Sequence, residues 1–333
     1  MFDTILYLAA LVLTFVLTVC ILRPLIPFLK SKKMGQKILE IGPRWHKSKE
    51  GTPMMGGLSF IGASLCVMIL VLAACAVWGS VTEVLPAVLV LAYGVLNALI
   101  GFIDDSAKLR KKQNEGLTAR QKYLLQLFAA ALFLIFLSLT GVITTELVIP
   151  FVGVTWELGI FYYIIALLLL TGIVNAVNLT DGIDGLSSSV TLVVGMFFSA
   201  AAFFADSVQN PAAAGILGAW LIGGTLGFLV YNFYPARIFM GDTGSLFLGA
   251  MVVGTAFILG NPLIIVVCGI IYICEAASVI LQVGYFKLTH GKRLFKMAPI
   301  HHHFEKCGWN EVKIVAVFSA VTALFCAAAW FGL

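Results

Sequence analysis

Charge is scarce in this chain. Of its 333 residues only 11% are Asp, Glu, Lys or Arg, against about 25% in soluble globular domains. Polar linkers and composition shifts are missing too, so the chain reads as one domain over 1–333. Internal repeats are lacking, which removes the sequence signature of an inverted-repeat transporter. The seven cysteines show no CxxC spacing, and six of them, Cys20, Cys66, Cys75, Cys268, Cys274 and Cys326, sit in apolar runs. That argues against a disulfide framework and leaves them as small buried hydrophobes. The start, MFDTILYLAALVLTFVLTVC, has no basic leader and carries Asp3. The expectation is an uncleaved first helix with its N-terminus outside, not a signal peptide.

Apolar residues are abundant instead, at 61% with a mean hydropathy of +1.03. A soluble core cannot absorb that excess, so the bilayer is the expected solvent. The expected fold class is an all-α integral membrane protein with about ten transmembrane helices. The candidate spans lie at about 4–29, 53–78, 85–103, 120–140, 159–177, 186–205, 212–231, 243–260, 262–286 and 312–331. Prolines 53, 86, 150, 211, 235, 262 and 299 punctuate them.

Basic residues set the orientation. Seven lie from Lys30 to Lys49, six from Lys108 to Lys122, one at Arg237 and six from Lys287 to Lys313. These fall on every second loop. The opposite loops carry Asp3, Glu83, Glu146, Glu157 and Asp206 and no Lys or Arg. The positive-inside rule makes the basic side cytoplasmic and puts both termini outside. The net charge of +5 is thus a membrane signature, with no nucleic acid implied.

Chemistry-bearing residues gather on the basic side. In Asn97-x-x-x-Gly101-x-x-Asp104-Asp105-x-x-Lys108, four residues share a helical face. Adjacent carboxylates at the end of a span need water, cations or a metal; a solvated helix end neutralised by Lys108, Arg110, Lys111 and Lys112 is the plain alternative. NAVNLTDGIDGL at 175–186 places Asn175 and Asn178 one turn apart before two Asp-Gly breaks. Its glycines let backbone approach a ligand. A polar turn with Asp184 as a helix cap is the alternative there. YNFYPARIFMGDTGS at 231–245 carries Asn232 and Asp242, and Asp242 also suits an N-cap.

PIHHHFEKCGW at 299–309 offers three histidines beside Lys292, Arg293 and Lys296. Phosphate donors fit that electropositive segment better than zinc ligands, since no cysteine or carboxylate cluster completes a recognisable zinc set. Glu275, Gln282, Gly284 and Lys287 interrupt the apolar run before it. Acids on three loops of one face suit a divalent metal and phosphoryl transfer.

These motifs, with GTPMMGGLSF at 51–60 and GFIDDSAK at 101–108, resemble the phospho-N-acetylmuramoyl-pentapeptide transferase family, within the polyprenyl-phosphate N-acetylhexosamine-1-phosphate transferases. The resemblance spans essentially the whole chain. The His-His-His-Phe-Glu run separates it from the related GlcNAc-1-phosphate transferases, which remain the nearest alternative. A transporter with intramembrane acids is the alternative of another class. Met54 departs from the family, which more often has Thr there.

The resemblance implies an Mg²⁺-dependent enzyme of the bacterial cytoplasmic membrane with its site facing the cytoplasm. It would move phospho-MurNAc-pentapeptide from UDP-MurNAc-pentapeptide to undecaprenyl phosphate, and would work as a homodimer. By this resemblance Asp104, Asp105 and Asp242 are catalytic, with Asp242 on the metal. Lys108, Asn178, Asp181, Gly182, Ile183, Asp184, Asn232 and Phe239 line the uridine and diphosphate region. His301, His302 and His303 match the histidine motif, and Lys49, Lys122 and Gln282 are further substrate-binding positions.

Overall fold

The computed structural model describes residues 2–32, 49, 51–78, 81–111 and 116–333. Its helices follow the apolar runs. They are α1 (Phe2–Ser31), α2 (Leu58–Trp78), α3 (Val81–Lys111), α4 (Ala119–Leu139), α5 (Ile160–Thr180) and α6 (Leu186–Phe204). The chain continues through α7 (Pro211–Asn232), α8 (Gly241–Ile258), α9 (Ile264–Cys268), α10 (Ile270–Leu288), α11 (Ile300–Glu305) and α12 (Glu311–Ala329). Among the described residues ten helices are long and apolar enough to cross a membrane, the number expected from the sequence. Most are apolar on every side, and residues such as Ile69, Leu139 and Phe204 stay exposed, as lipid-facing helices require. The helix α8 is the opposite case. Of its 18 residues only Asp242 escapes full burial, so α8 is the axis around which α3, α5 and α7 pack.

Three elements differ from the sequence expectation. The third span, expected at 85–103, runs on to Lys111, so Asp104, Asp105 and Lys108 lie inside α3. The ion pair from Lys108 to Asp104, one turn apart, supports that extension. The ninth span, expected at 262–286, breaks at Gly269 into α9 and α10. The segment between the fourth and fifth spans folds into an antiparallel hairpin, β1 (Glu146–Ile149) and β2 (Val154–Glu157), with Glu146 opposite Glu157. Lys33, Lys37, Arg44, Lys47 and Lys112, counted toward the basic loops, lie outside the described residues.

The two ends of the bundle are chemically distinct. At one end the Tyr7 hydroxyl donates to the Pro211 carbonyl, and the Asn210 amide to Ile258. There too Asn261 donates to the carbonyl of Gly332. The start of α1, the start of α7, the end of α8 and the chain's C-terminal turn therefore meet. At the other end lie the last turns of α3, α5 and α7 and the first turns of α6, α8 and α12. Nearly all the polar residues singled out above sit there.

Candidate active site

Close backbone contact brings α3 to the first turn of α8. A Cβ on Gly101 would lie 2.3 Å from the Asp242 carbonyl oxygen, so only glycine fits. One turn later, Asp104 and Asp105 reach Asp242, and carboxylate oxygens of the three lie within 4.8 Å of one another.

The three acids are held differently. Asp105 caps α8: one oxygen accepts the Asp242 N–H at 3.2 Å, the other the Thr243 N–H at 2.9 Å and the Thr243 hydroxyl at 2.7 Å. Asp104 accepts the Leu117 N–H at 2.6 Å and pairs with Lys108 at 2.7 Å. Asp242 draws the cations. Its Oδ2 accepts from Lys108 at 3.0 Å and from Lys122 at 2.8 Å, and its Oδ1 from the Asn178 amide at 3.0 Å. Asn178 also donates to the Ser245 hydroxyl at 2.8 Å, tying α5 to α8. Asp181 follows the last turn of α5. Burial first, then the charges of Asp242, Asp105 and Asp184, push its carboxyl from the ordinary 3.8 up to about 8.

A second charged group flanks the first. The Lys49 ammonium lies 2.7 Å from Asp184 and 2.6 Å from Glu311. Glu311 also accepts the Asp184 N–H at 2.9 Å, and Asp184 accepts the Ala236 N–H at 2.8 Å. Asn232 accepts the Gly185 N–H at 3.1 Å and donates to the Ile238 carbonyl at 3.0 Å. The 51–60 motif joins here through backbone. Phe239 donates to the Pro53 carbonyl at 2.9 Å, and Gly56 donates to the Phe239 carbonyl at 2.8 Å. Loops 53–57, 181–185 and 236–240 therefore form one hydrogen-bonded unit, with Ile183 buried in it, Gly182 exposed and Phe239 half-buried on it.

The histidines separate, as three consecutive side chains on a helical turn must. The segment is the short helix α11, not an extended loop. His301 is fully buried, with Nδ1 3.0 Å from Glu275. His302 pairs with Glu305 at 2.5 Å. His303 Nδ1 accepts the Lys296 N–H at 3.1 Å. Gln282 holds the neighbouring turn, accepting the N–H groups of Leu294 and Phe295 at 3.1 and 2.8 Å. Gln282 and His303 thus organise the 294–303 segment and have no hydrogen bond to the acids among the described residues.

Sequence reasoning singled out neither Glu311 nor Thr243. Each takes its role from a contact more than a hundred residues away along the chain. Glu311 gave no signal beyond standing just before the last expected span. Thr243 gave one: a hydroxyl next to an acid at a helix start.

Among the described residues Asp104, Asp105 and Asp242 form the acidic group able to hold a metal, and the histidines form none. Its donors are all carboxylate oxygens, the set a hard cation such as Mg²⁺ takes and thiophilic metals do not. Two ammonium groups already share the acids, so two of the three formal negative charges are offset as it stands.

A bundle of membrane-length helices with converging acids and lysines at one end defines a class, a multi-pass membrane transferase. The model of glycosyl transferase family 4 matches residues 87–260, from α3 to the end of α8. A phospho-N-acetylmuramoyl-pentapeptide-transferase of Clostridium novyi (strain NT) is 45% identical over 91% of this chain and 89% of its own length. Namesakes from Clostridium acetobutylicum and Clostridium perfringens (strain SM101) are also 45% identical, over 92% and 95% of this chain and 93% and 94% of theirs. The chain belongs to the phospho-N-acetylmuramoyl-pentapeptide-transferases of glycosyl transferase family 4. Lys49 and the histidine segment lie outside residues 87–260.

Proposed function

We propose that this protein moves phospho-MurNAc-pentapeptide from UDP-MurNAc-pentapeptide to undecaprenyl phosphate, giving lipid I and UMP. The observation that carries the reading is the meeting of Asp104, Asp105 and Asp242 with Lys108 and Lys122 in a chain of this family. An oxygen of the lipid phosphate attacks the sugar-bearing phosphorus, the bond to the UMP oxygen breaks, and UMP leaves with that electron pair. Lysines near that phosphorus offset the charge that spreads over its oxygens.

The acceptor phosphate has a second pKa near 6, by analogy with phosphate monoesters, so at neutral pH it is already mostly dianionic. A general base is helpful rather than obligatory. Asp104 is the candidate to take a residual proton, because Asp105 is fully occupied in capping α8. Bound Mg²⁺ would supply charge neutralisation on the transferring phosphoryl group. The chain's own contribution is to hold the acids, with Asn178 orienting Asp242 and Asp105 fixing its backbone. The unit of loops 53–57, 181–185 and 236–240, with Lys49, Asp184, Asn232 and Phe239, is the proposed uridine side.

The same reading makes the chain a single membrane domain of the bacterial cytoplasmic membrane. The acidic end faces the cytoplasm, both termini lie outside, and the enzyme works as a homodimer. The one-sided distribution of Lys and Arg supports the orientation. Radiolabelled UDP-MurNAc-pentapeptide with undecaprenyl phosphate tests the activity. The expected result is a labelled lipid product that forms with Mg²⁺ and not in excess chelator. Absence of product from folded protein would overturn the reading, and mass measurement in nanodiscs showing only monomer would remove the dimer.

A further inference from the structure

One acid stands apart from the cluster. Glu275 lies in α10, inside an apolar run, and is fully buried. A carboxylate in such a run is costly unless something holds it. Its Oε2 lies 3.0 Å from His301 Nδ1, and the His301 N–H points at the same oxygen from 3.5 Å. The other atoms of the pair, Glu275 Oε1 and His301 Nε2, are buried with no hydrogen-bond partner.

Nε2 has a specific neighbour. A Cβ built on Gly182 would stand 2.1 Å from it and 2.5 Å from the ring's Cε1. Glycine at 182 is therefore what lets the Nε2 edge of the imidazole approach the 181–185 loop so closely. That loop carries Asp181 toward the acidic cluster and Asp184 to Lys49. The ring edge abuts it at Gly182, and Glu275 is the group hydrogen-bonded to the ring.

We infer that Glu275 is a positioning residue for the nucleotide side of the site, acting through His301 on the Asp181–Asp184 loop. A carboxylate on Nδ1 keeps the proton on that nitrogen and fixes the ring plane, as carboxylates do behind metal-bound histidines. Apolar packing would fill the same space without costing a buried charge, but would leave the ring free to turn. A ring that turned would carry Nε2 out of this close approach to Gly182. The inference also explains the acid that fitted neither a solvated helix end nor the cluster. Its partner reaches the 181–185 loop, so Glu275 belongs to the level of the site.

The test rests on the transferase reading for its kinetic arm. Glu275→Gln keeps the shape and removes the charge; His301→Asn removes the ring. Glu275→Gln should raise the KM for UDP-MurNAc-pentapeptide about tenfold, the lower end of what losing such an outer carboxylate costs. The KM for undecaprenyl phosphate should not move. The double variant should match His301→Asn alone, because Glu275 acts only through the ring. Equal rises in both KM values, wild-type values for Glu275→Gln, or a double variant worse by the product of the two would overturn the proposal.

Wild-type protein labelled with ¹⁵N-histidine gives a second measurement that needs no folded Glu275 variant. The resonance lost in His301→Asn should report a proton on Nδ1. A bare Nδ1 with the proton on Nε2 would overturn the proposal even if the kinetics agreed. If wild-type protein makes no lipid product, the transferase reading fails, and the spectrum still decides the Glu275–His301 geometry.

Discussion

Asp105→Asn separates two roles that adjacent aspartates can share. Both oxygens of Asp105 accept hydrogen bonds from the first turn of α8, three bonds in all. Asparagine offers one oxygen and one NH₂ group. Whichever way the amide turns, a donor faces a donor: either the Asp242 N–H or the pair on Thr243. The better arrangement keeps the Thr243 bonds and loses the one to Asp242. A hydrogen bond to a charged group is worth about 1.5–3 kcal/mol, and a buried N–H left unpaired adds a desolvation cost of about 1–3 kcal/mol. That strain falls on the residue whose carboxylate gathers Lys108, Lys122 and Asn178. A misplacement of about 1 Å can cost about 10²-fold in rate.

The expectation is therefore folded protein, reduced thermal stability in detergent and turnover down about 10²-fold at saturating Mg²⁺. Thr243→Val removes only the hydroxyl donor to Asp105, so it should move both readouts in the same direction and less far. Formation of labelled lipid from UDP-MurNAc-pentapeptide is the assay, with melting followed in parallel. Two outcomes would refute the reasoning. One is Asp105→Asn falling as far as Asp242→Asn while Thr243→Val behaves as wild type, which marks a direct chemical role. The other is both variants retaining wild-type turnover, which means the cap positions nothing.

Asp242→Asn should abolish turnover while the protein still folds in membranes, and near-normal turnover at saturating Mg²⁺ would sink its assignment. A reporter active only in the cytoplasm, fused to Leu333, should stay silent; strong signal would mean the spans are miscounted. For Asp181 the folded pKa of about 8 lies above the ordinary 3.8. The native state therefore holds that proton more tightly, and this group's contribution to stability is lost as pH rises from about 4 to about 8. Asp181→Asn has no such proton. Without Mg²⁺, its melting temperature should gain on the wild type across that window, and parallel curves would refute the shift.

Much of this was legible in the sequence because the bilayer simplifies the code. Runs of about 20 apolar residues mark spans without any knowledge of packing. Polar residues inside or beside such runs are expensive, so Asp104, Asn178 and Asp242 stood out before any contact was known. Helix ends were less legible. Asp104 and Asp105 looked like residues past the end of a span, but local ion pairing carries α3 on to Lys111. The hairpin at 146–157 has four-residue strands, too short for alternation to show. Glu311 was invisible because its meaning lies wholly in Lys49 and Asp184, brought together by tertiary packing. The histidine run was legible as chemistry but not as geometry. A helical turn sends its members to Glu275, to Glu305 and to the 296 backbone.

The arrangement of charge also bears on why the site tolerates such a density of acids. Asp104, Asp105 and Asp242 carry a formal −3 against +2 from Lys108 and Lys122, while Asp181, its carboxyl raised to about 8, adds less negative charge at neutral pH than an ordinary aspartate. The Lys108 ammonium lies 2.7 Å from Asp104 and 3.0 Å from Asp242, between two carboxylates as a cation would lie. Without a metal, the lysines keep the acids from driving the helix ends apart. In the proposed reading a divalent ion would change the formal balance from −1 to +1, and a diphosphate would then meet a positive site instead of a negative one. The converse holds as well: a bound diphosphate makes the site more attractive to the ion. In that reading cation and nucleotide would strengthen each other's binding by the same factor, whichever arrives first. Lysines serve this exchange better than arginines, because a single ammonium on a flexible stem can leave two carboxylates for a phosphate without breaking a bidentate fork.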